Sequence, residues 1–180
     1  LKTVLYLNLS TTPVAWGGIR PDLLELAICV AASLANHLAL GRAQFGLVAN
    51  GFMPHANASS RLAASGSPRQ LTAVLTLLAQ ISSFATIPFS SLLAAERRKI
   101  PEGAAIVLIT SLLDNLILRQ AQAYQASSHP VTLLLIGDDL KDIQAPGLPT
   151  YWIGDEAHWR DLPVLRGDSD HPREAASCST

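Results

Sequence analysis

The sequence predicts an α/β protein with a doubly wound, mostly parallel sheet and helices on both faces. Apolar runs rich in β-branched residues at 4–8, 104–110 and 131–136 predict buried strands. Residues 22–38 and 70–81 carry apolar side chains every three or four positions, which is typical of helices that pack on a core. Strands that alternate with helices predict parallel pairing through right-handed crossovers.

The end of the first strand carries the polar residues around which a site is predicted. Its apolar run is followed by Asn8, Ser10 and Thr12, whose side chains point the same way if the backbone is extended. Open α/β sheets bind ligands at the C-terminal ends of their central strands. The following loop contains Trp16, which we interpret as a core plug rather than a lid over these polar groups.

Three segments carry the signals of a helix start. Asp22 stands three residues before Glu25 as in a capping box, and Ser111 stands three residues before Asp114 in the same way. Ser67 is followed by a proline and then, two residues later, by a glutamine, which predicts a hydroxyl cap. We expect a helix to begin at each of these segments.

The polar segments after the strands are expected to share one rim of the sheet. Asn50, which a glycine follows, predicts a turn that ends the second strand. A third strand, if present, is expected to be a short edge strand near residues 61–63. Because parallel strands end at the same edge, segments 8–12, 50–67 and 110–114 should lie together.

The composition argues against several classes of function. Charged residues make up 15% of the chain, whereas about 25% is typical. The net charge of −1 provides no field that would attract nucleic acid or an anionic membrane. No apolar run is expected to be long enough for a membrane span, and Cys29 and Cys178 suggest no disulfide. We therefore expect a large core or a surface covered by a protein partner, with no nucleic-acid or membrane contact from this segment.

One domain is expected over residues 1–160, followed by an irregular or mobile tail over 161–180. Residues in the tail are small or polar and show no periodicity. No methionine begins the sequence, and its first residue lies almost inside a strand. We therefore expect the chain to be a piece of a longer protein.

Four segments in succession carry a resemblance to a known family. They are Glu25–Ala35, Phe45–Gly51, Gln70–Leu75 and Ile106–Thr110. Their order resembles the bacterial domain-of-unknown-function family fifty-eight over residues 1–155. The resemblance implies a von Willebrand factor A-like, Rossmann-type fold and a cytoplasmic domain whose parent is anchored in the inner membrane by two N-terminal spans. It also implies a link to ATPases of the MoxR type, which belong to the AAA+ class.

The resemblance further implies a metal-ion-dependent adhesion site, of which this sequence keeps only part. The metal motif of von Willebrand factor A domains reads Asp-x-Ser-x-Ser after the first strand. Here the three positions are Asn8, Ser10 and Thr12, so that the carboxylate is missing while both hydroxyls are kept. Mg²⁺ generally needs carboxylate oxygens to offset its dehydration.

The other two loops of that site are altered as well. The hydroxyl of the second loop falls on Ser65 or Ser67, and the aspartate of the third loop falls on Ser111. Asp114, one helical turn further on, is the only carboxylate that could substitute. The alternative is that Ser67 and Ser111 are helix caps, and that the first-loop hydroxyls bond to loop backbone.

We therefore predict a non-catalytic protein-binding or scaffold domain with a degenerate metal site and no cofactor. The predicted binding rim contains Asn8, Ser10, Thr12, Trp16, Ser67, Ser111 and Asp114, beside the apolar residues Phe52, Met53 and Leu112. If Mg²⁺ is held at all, Ser10, Thr12 and Asp114 are the candidate ligands.

Two alternatives to this prediction remain open. One is an α/β enzyme of unrecognised chemistry, although no Gly-x-Gly-x-x-Gly, phosphate loop, Gly-x-Ser-x-Gly or zinc-ligand spacing is present. The other is a purely structural oligomerisation domain, which is hard to separate from a scaffold.

Overall fold

The computed structural model describes residues 2–13, 17–53 and 58–154, with the backbone alone at 53, 58 and 59. In chain order the strands and helices are β1 (Lys2–Leu7), α1 (Pro21–Leu40), β2 (Gln44–Met53), β3 (Ala58–Ser65), α2 (Gln70–Gln80), α3 (Phe89–Glu96), β4 (Ala105–Thr110), α4 (Asn115–Ala126), β5 (Val131–Ile136) and β6 (Thr150–Ile153). Short 3₁₀ helices follow α3 at Arg97–Lys99 and β5 at Asp138–Leu140. The predicted tail over 161–180 lies outside the described residues.

Six strands form one sheet in the order β3-β2-β1-β4-β5-β6. Five of them are parallel, and β3 alone runs antiparallel to its neighbour. β1 is central, since Leu5 pairs with Leu47 of β2 on one side and with Val107 of β4 on the other. The predicted α/β fold is confirmed: the sheet is doubly wound, mostly parallel and Rossmann-type, like that of von Willebrand factor A domains.

Helices cover both faces of the sheet and enclose two apolar cores. On one face, Leu5 and Leu7 of β1 pack with α1 and α2. On the other face, Val4 and Tyr6 pack with α3 and α4. A strand covered on both sides needs apolar side chains at successive positions, which explains the unbroken apolar run that begins the chain.

By length and composition alone, α1 could cross a membrane. This corrects the expectation that no apolar run reaches the length of a span. The two acidic residues of the helix, Asp22 and Glu25, do not lower its hydropathy enough to fail that test. In the structure α1 lies on the sheet, with Leu23, Ala27 and Val30 buried against it. A helix that buries one whole face in a core meets the same compositional test as a span.

β2 does not end at Asn50, as the turn signal predicted, but continues to Met53. Gly51 is required there by packing, because a Cβ at this position would lie 2.3 Å from the Leu9 side chain. β3 then returns antiparallel as an edge strand of eight residues, longer than the short edge predicted near residues 61–63. The local turn signal is overridden by side-chain packing across the sheet.

Gly46 allows an irregularity in the β2–β3 pairing. Phe45 pairs with Ser65 and Leu47 with Leu62, so that β3 has one more residue than β2 between these pairs. A Cβ on Gly46 would lie 2.5 Å from the carbonyl oxygen of Leu62. Glycine is therefore needed where the bulged strand approaches β2 most closely.

Two of the predicted helix starts differ in detail. α1 begins at Pro21, and Asp22 is not a cap but forms an ion pair with Arg20 at 3.0 Å. Proline is favoured at the first helical position, which places the start one residue before the predicted cap. α2 begins at Gln70, whereas the Ser67 hydroxyl accepts a bond from the Arg69 amide in a preceding turn.

A buried carboxylate joins β3 to the α3 region. Glu96 accepts hydrogen bonds from the Arg61 guanidinium and the Lys99 ammonium, each at 2.7 Å. Burial raises the pKa of Glu96, but the bonds from Lys99 and Arg61 lower it by more than burial raises it. The pKa of Glu96 therefore falls below its ordinary value of 4.5. The carboxylate is therefore charged at neutral pH and holds the edge strand to the helical layer.

Replacing Glu96 with Gln should remove a stabilisation that depends on pH. Because the pKa of Glu96 is lower in the folded state, its carboxylate stabilises the fold fully at pH values above the pKa of the unfolded chain. This stabilisation is lost as the pH falls through the folded-state pKa. We expect wild type to exceed Glu96→Gln in free energy of unfolding at pH 7, with the difference shrinking below pH 4.5. Urea unfolding across this range measures it, with the exposed Glu102→Gln as control. A difference independent of pH would contradict the ionic origin.

Replacing Ile109 with Ala should destabilise the protein by about 2–5 kcal/mol. Ile109 lies one residue before the end of β4, between β1 and β5, its side chain is fully buried, and the smaller side chain would leave a cavity. Denaturant titration measures the loss, with the exposed Lys2→Ala of β1 as the control. A loss under about 0.5 kcal/mol for Ile109→Ala would be typical of an exposed position and would contradict its burial.

Candidate functional site

The predicted rim lies at the C-terminal edge of the three central strands. Asn8 directly follows β1, Thr110 ends β4, and Asn50 lies near the end of β2. All three side chains are at most 2% exposed. Parallel neighbours bring these positions together although Asn8 and Thr110 are 102 residues apart in sequence.

Asn8 bonds through its amide to both neighbouring strands. Its Nδ2 donates to the Thr110 hydroxyl at 2.9 Å. Its Oδ1 accepts from Asn50 Nδ2 and from the Ser10 backbone amide, each at 3.0 Å. The Thr110 hydroxyl already donates to the Leu112 carbonyl, so its partner at position 8 must be a donor. The Asn8 amide donates there while it accepts from Asn50, whereas an ionised aspartate has no donor for the first bond.

Asn50 connects this edge to the segment between α2 and α3. Its Oδ1 accepts from the Leu9 amide at 2.8 Å, and its Nδ2 also reaches the Ile87 carbonyl at 3.2 Å. Its own carbonyl accepts from the Thr86 amide at 2.8 Å. Asn50 therefore ties the loop over residues 81–88 to the sheet, as does the Phe52 carbonyl, which accepts from the Ser82 amide.

A cleft of about 860 Å³ opens above these groups. Its described lining consists of residues 8–13, 18–20, 83–90 and 111–114, together with residues from α1, α4 and the 3₁₀ helix after β5. The lining mixes hydroxyls with apolar side chains, and its charges are few. A cleft at a strand-order reversal is where doubly wound sheets bind their ligands.

One arginine at the cleft mouth pairs with two aspartates. The Arg20 guanidinium contacts Asp139 at 3.2 Å and Asp22 at 3.0 Å. All three side chains are about half exposed or more, so the pairs contribute little to stability. Because two carboxylates face one guanidinium, this group of charges is slightly negative.

The predicted rim hydroxyls bond to nearby backbone. Ser111 donates to the Ser10 carbonyl at 3.3 Å, and Thr12 donates to the Gly18 carbonyl at 2.8 Å. Thr11, which the sequence prediction did not include, accepts from the Arg20 amide at 2.8 Å. These bonds hold the loop after β1 in place. Of the bonding predicted as the alternative to metal binding, the bond from Thr12 to loop backbone is present, whereas Ser111 is not a helix cap.

Asp114 is the cap of α4, a role that had been predicted for Ser111. Its Oδ1 accepts from the Ile117 amide at 2.7 Å. The capping-box prediction is therefore wrong by one turn, since the strand is followed by an extended stretch before the helix begins. An aspartate used as a cap already has one oxygen engaged by the backbone.

The residues at this edge do not fit a hydrated Mg²⁺ well. Asn8 Oδ1 already accepts two hydrogen bonds, and Asp114 caps a helix. Within residues 2–13, 17–53 and 58–154, no cluster of three histidine, cysteine, aspartate or glutamate side chains could hold a metal. The degenerate character of the site is consistent with these contacts, and the absence of ion binding stays a prediction.

None of four predicted rim residues, Ser67, Trp16, Met53 and Phe52, is among the described residues that line the cleft. Ser67 is not on the rim, because β3 runs antiparallel and pairs Ser65 with Phe45 at the opposite edge of the sheet. Trp16 lies outside the described residues, as does the Met53 side chain. Phe52 is on the rim, where its carbonyl accepts from the Ser82 amide at 3.0 Å.

The sequence analysis missed the apolar groups of the loop between α2 and α3. Phe84 is 68% exposed and Ile87 is 42% exposed, and both line the cleft. Leu116, in the first turn of α4, is 56% exposed nearby. The available signal was a phenylalanine and an isoleucine within a short serine- and threonine-containing segment that precedes a proline.

Comparison with solved structures supports the fold and nothing finer. The crystal structure of the conserved hypothetical protein BatB from Bacteroides thetaiotaomicron superposes with a TM-score of 0.55 at 17% sequence identity. The alignment covers 76% of this chain and 67% of that one. No family model matches the sequence. No curated protein matches it either. Membership of the family that the sequence resembles therefore stays a prediction.

Wild-type melting temperature should be the same in Mg²⁺ and in EDTA. The amide and hydroxyl groups at the rim already bond to one another, which leaves no carboxylate pair for the ion. Asp114→Ala should lower stability by about 0.5–2 kcal/mol through loss of the cap, equally in both buffers. Differential scanning fluorimetry measures both effects. An ion that binds the folded protein and is present at 100 times its dissociation constant would add about 2.7 kcal/mol to the free energy of unfolding, which is a visible shift in melting temperature.

Asn8→Asp provides the positive control. This substitution places a carboxylate at the first position of the metal motif and removes the group that donates to Thr110. In EDTA the variant should therefore have a lower melting temperature than wild type. Added Mg²⁺ should recover part of that loss in this variant only. An upward shift of the wild type in Mg²⁺ that Asp114→Ala abolishes would instead make Asp114 a ligand and overturn the degenerate site.

Proposed function

We propose that this chain is a non-catalytic protein-binding or scaffold domain that uses the rim cleft without a bridging ion. The amide network that joins Asn8, Asn50 and Thr110 carries the proposal. It occupies the strand ends with bonds internal to the protein, so the surface does not need a cation to hold its shape.

The exposed groups around the cleft suit a protein partner. Phe84, Ile87 and Leu116 present apolar surface beside hydroxyl groups, and the nearby charges are paired. Interface centres are enriched in aromatic residues and depleted in charge. A cluster of exposed apolar side chains on one side of a domain is more informative than the same residues scattered singly.

The proposed partner and the proposed cellular location come from the sequence resemblance. We propose a MoxR-type AAA+ ATPase as the partner, and a cytoplasmic position within a parent protein anchored in the inner membrane. Neither nucleic acid nor the membrane is proposed to touch this segment, because its net charge is close to zero. No catalytic step is assigned to the cleft.

Acidic substitutions in the loop should abolish partner binding. Phe84→Asp combined with Ile87→Asp puts charge into the centre of the proposed interface, where an unpaired charge is costly. A purified MoxR-type ATPase from the same organism is the probe, and biolayer interferometry without nucleotide is the measurement. We expect at least about a tenfold weaker dissociation constant than wild type, with EDTA having no effect.

Leu75→Asp is the matched control, since Leu75 is exposed on α2 and does not line the cleft. It should bind like wild type. Equal binding by the loop variant and wild type would overturn the rim as the contact surface. Binding that needs Mg²⁺ would overturn the ion-independent contact, and no binding by wild type would overturn the choice of partner.

A further inference from the structure

A second groove lies on the side of the molecule, between α2 and the free edge of β3. Its volume is about 600 Å³. Its described lining is Leu62, Arg69, Thr72, Ala73, Thr76, Leu77 and Gln80. Six of these residues recur at intervals of one, three and four, so they form one face of α2 and its N-terminal turn. None of them belongs to the rim cleft.

β3 forms the floor and the outer border of this groove. It is the last strand of the sheet on this side, and Leu62 faces the groove from it. Along an edge strand, alternate peptide groups point away from the sheet and can pair with another strand. The strand is eight residues long and contains no proline. Its one charged residue, Arg61, is bonded to Glu96.

The bulge near Ser65 limits how much of that edge is regular. β-Bulges are one of the devices that protect sheet edges, because they increase the local twist. The extra residue lies between Leu62 and Ser65, at the C-terminal end of the strand. A second irregularity lies between Val48 and Phe52 of β2, opposite Arg61 and Ser59, but there the extra residues belong to β2. The part of β3 before Leu62 therefore has no extra residue of its own and can pair with a further strand.

A positive charge without an ion-pair partner stands at one end of the groove. Arg69 is exposed, and the part of the chain that the structure describes contains no acidic side chain in contact with it. α2 begins beside it at Gln70, has no acidic residue in its first turn and has no side-chain cap. The helix dipole and the guanidinium therefore both favour a negative group at this end.

We propose that this groove binds an extended, mostly apolar peptide segment of a partner protein, which adds to β3 as a seventh strand. Alternate side chains of the peptide enter the space beside Leu62 and Ala73, while a carboxylate meets Arg69. Strand addition gives affinity through main-chain bonds and specificity through pockets for alternate side chains. The surface is distinct from the rim, so this proposal does not depend on the proposed function.

A phage-displayed library of random ten-residue peptides is the probe, selected on the full chain and counter-selected on Thr76→Arg. The new side chain fills the groove, and arginine is a good helix former, so α2 should stay folded. We expect enriched peptides with alternating apolar residues and a carboxylate. Fluorescence anisotropy should show at least about tenfold weaker binding to Thr76→Arg than to wild type.

Leu75→Arg is the control for the added side chain, because Leu75 lies on the same helix but outside the groove. Arg69→Glu should also weaken binding about tenfold, and a peptide with lysine in place of its carboxylate should recover it. The exposed Arg98→Glu serves as its charge control. Amide hydrogen exchange of β3 should slow in the complex, which tests strand addition directly.

Three outcomes would overturn the proposal. The first is an absence of peptides that distinguish wild type from Thr76→Arg. The second is binding that is insensitive to Arg69→Glu, or that leaves exchange in β3 unchanged. The third is protection of β3 without peptide that disappears on dilution, together with a dimer in light scattering, which would make a second copy of this chain the occupant.

Discussion

The amide of Asn8 is the interaction on which the functional edge of this protein depends. It donates to Thr110 on one side and accepts from Asn50 on the other, so that the ends of three strands are joined at one buried point. A buried polar group is tolerated when its bonding capacity is used, and here each partner supplies the complementary group. The loops above the sheet start from this point.

The metal site of a von Willebrand factor A domain and the Asn8 network meet the same structural requirement. Both satisfy polar groups where parallel strands end, the first through an ion and carboxylates and the second through neutral side chains. An asparagine at the first position removes the charge that would attract the ion and supplies the donor that the hydroxyl of Thr110 accepts. Neutral side chains therefore hold the three strand ends together without a charged ligand.

Sequence patterns predicted the parts of the fold that depend on burial. The apolar runs became β1, β4 and β5 because strands covered on both faces must be apolar throughout. Asn8 and Ser111 were correctly assigned to one rim because parallel order alone brings strand ends together. Ser67 was misplaced because nothing in the residues around it reveals that β3 runs antiparallel. Strand direction is set by long-range pairing, which local patterns do not contain.

Two local signals gave the wrong residue. β2 continues past the predicted turn at Gly51, where the Leu9 side chain leaves no room for a Cβ, and the cap predicted at Ser111 is Asp114, three residues further on. The loop that carries Phe84 could not be placed, because its position depends on bonds from Asn50 that only the folded sheet creates. The candidate site was therefore predicted in location but not in its apolar half.

The composition of α1 has a consequence for synthesis on the ribosome. The helix packs against β1, β2, β4 and β5, and the last two are translated long after it has emerged. Until then a segment with the length and hydropathy of a membrane span is uncovered. Insertion machinery selects nascent segments by those same properties. Covering of α1 during synthesis therefore waits for β4 and β5, which complete the sheet face on which the helix packs.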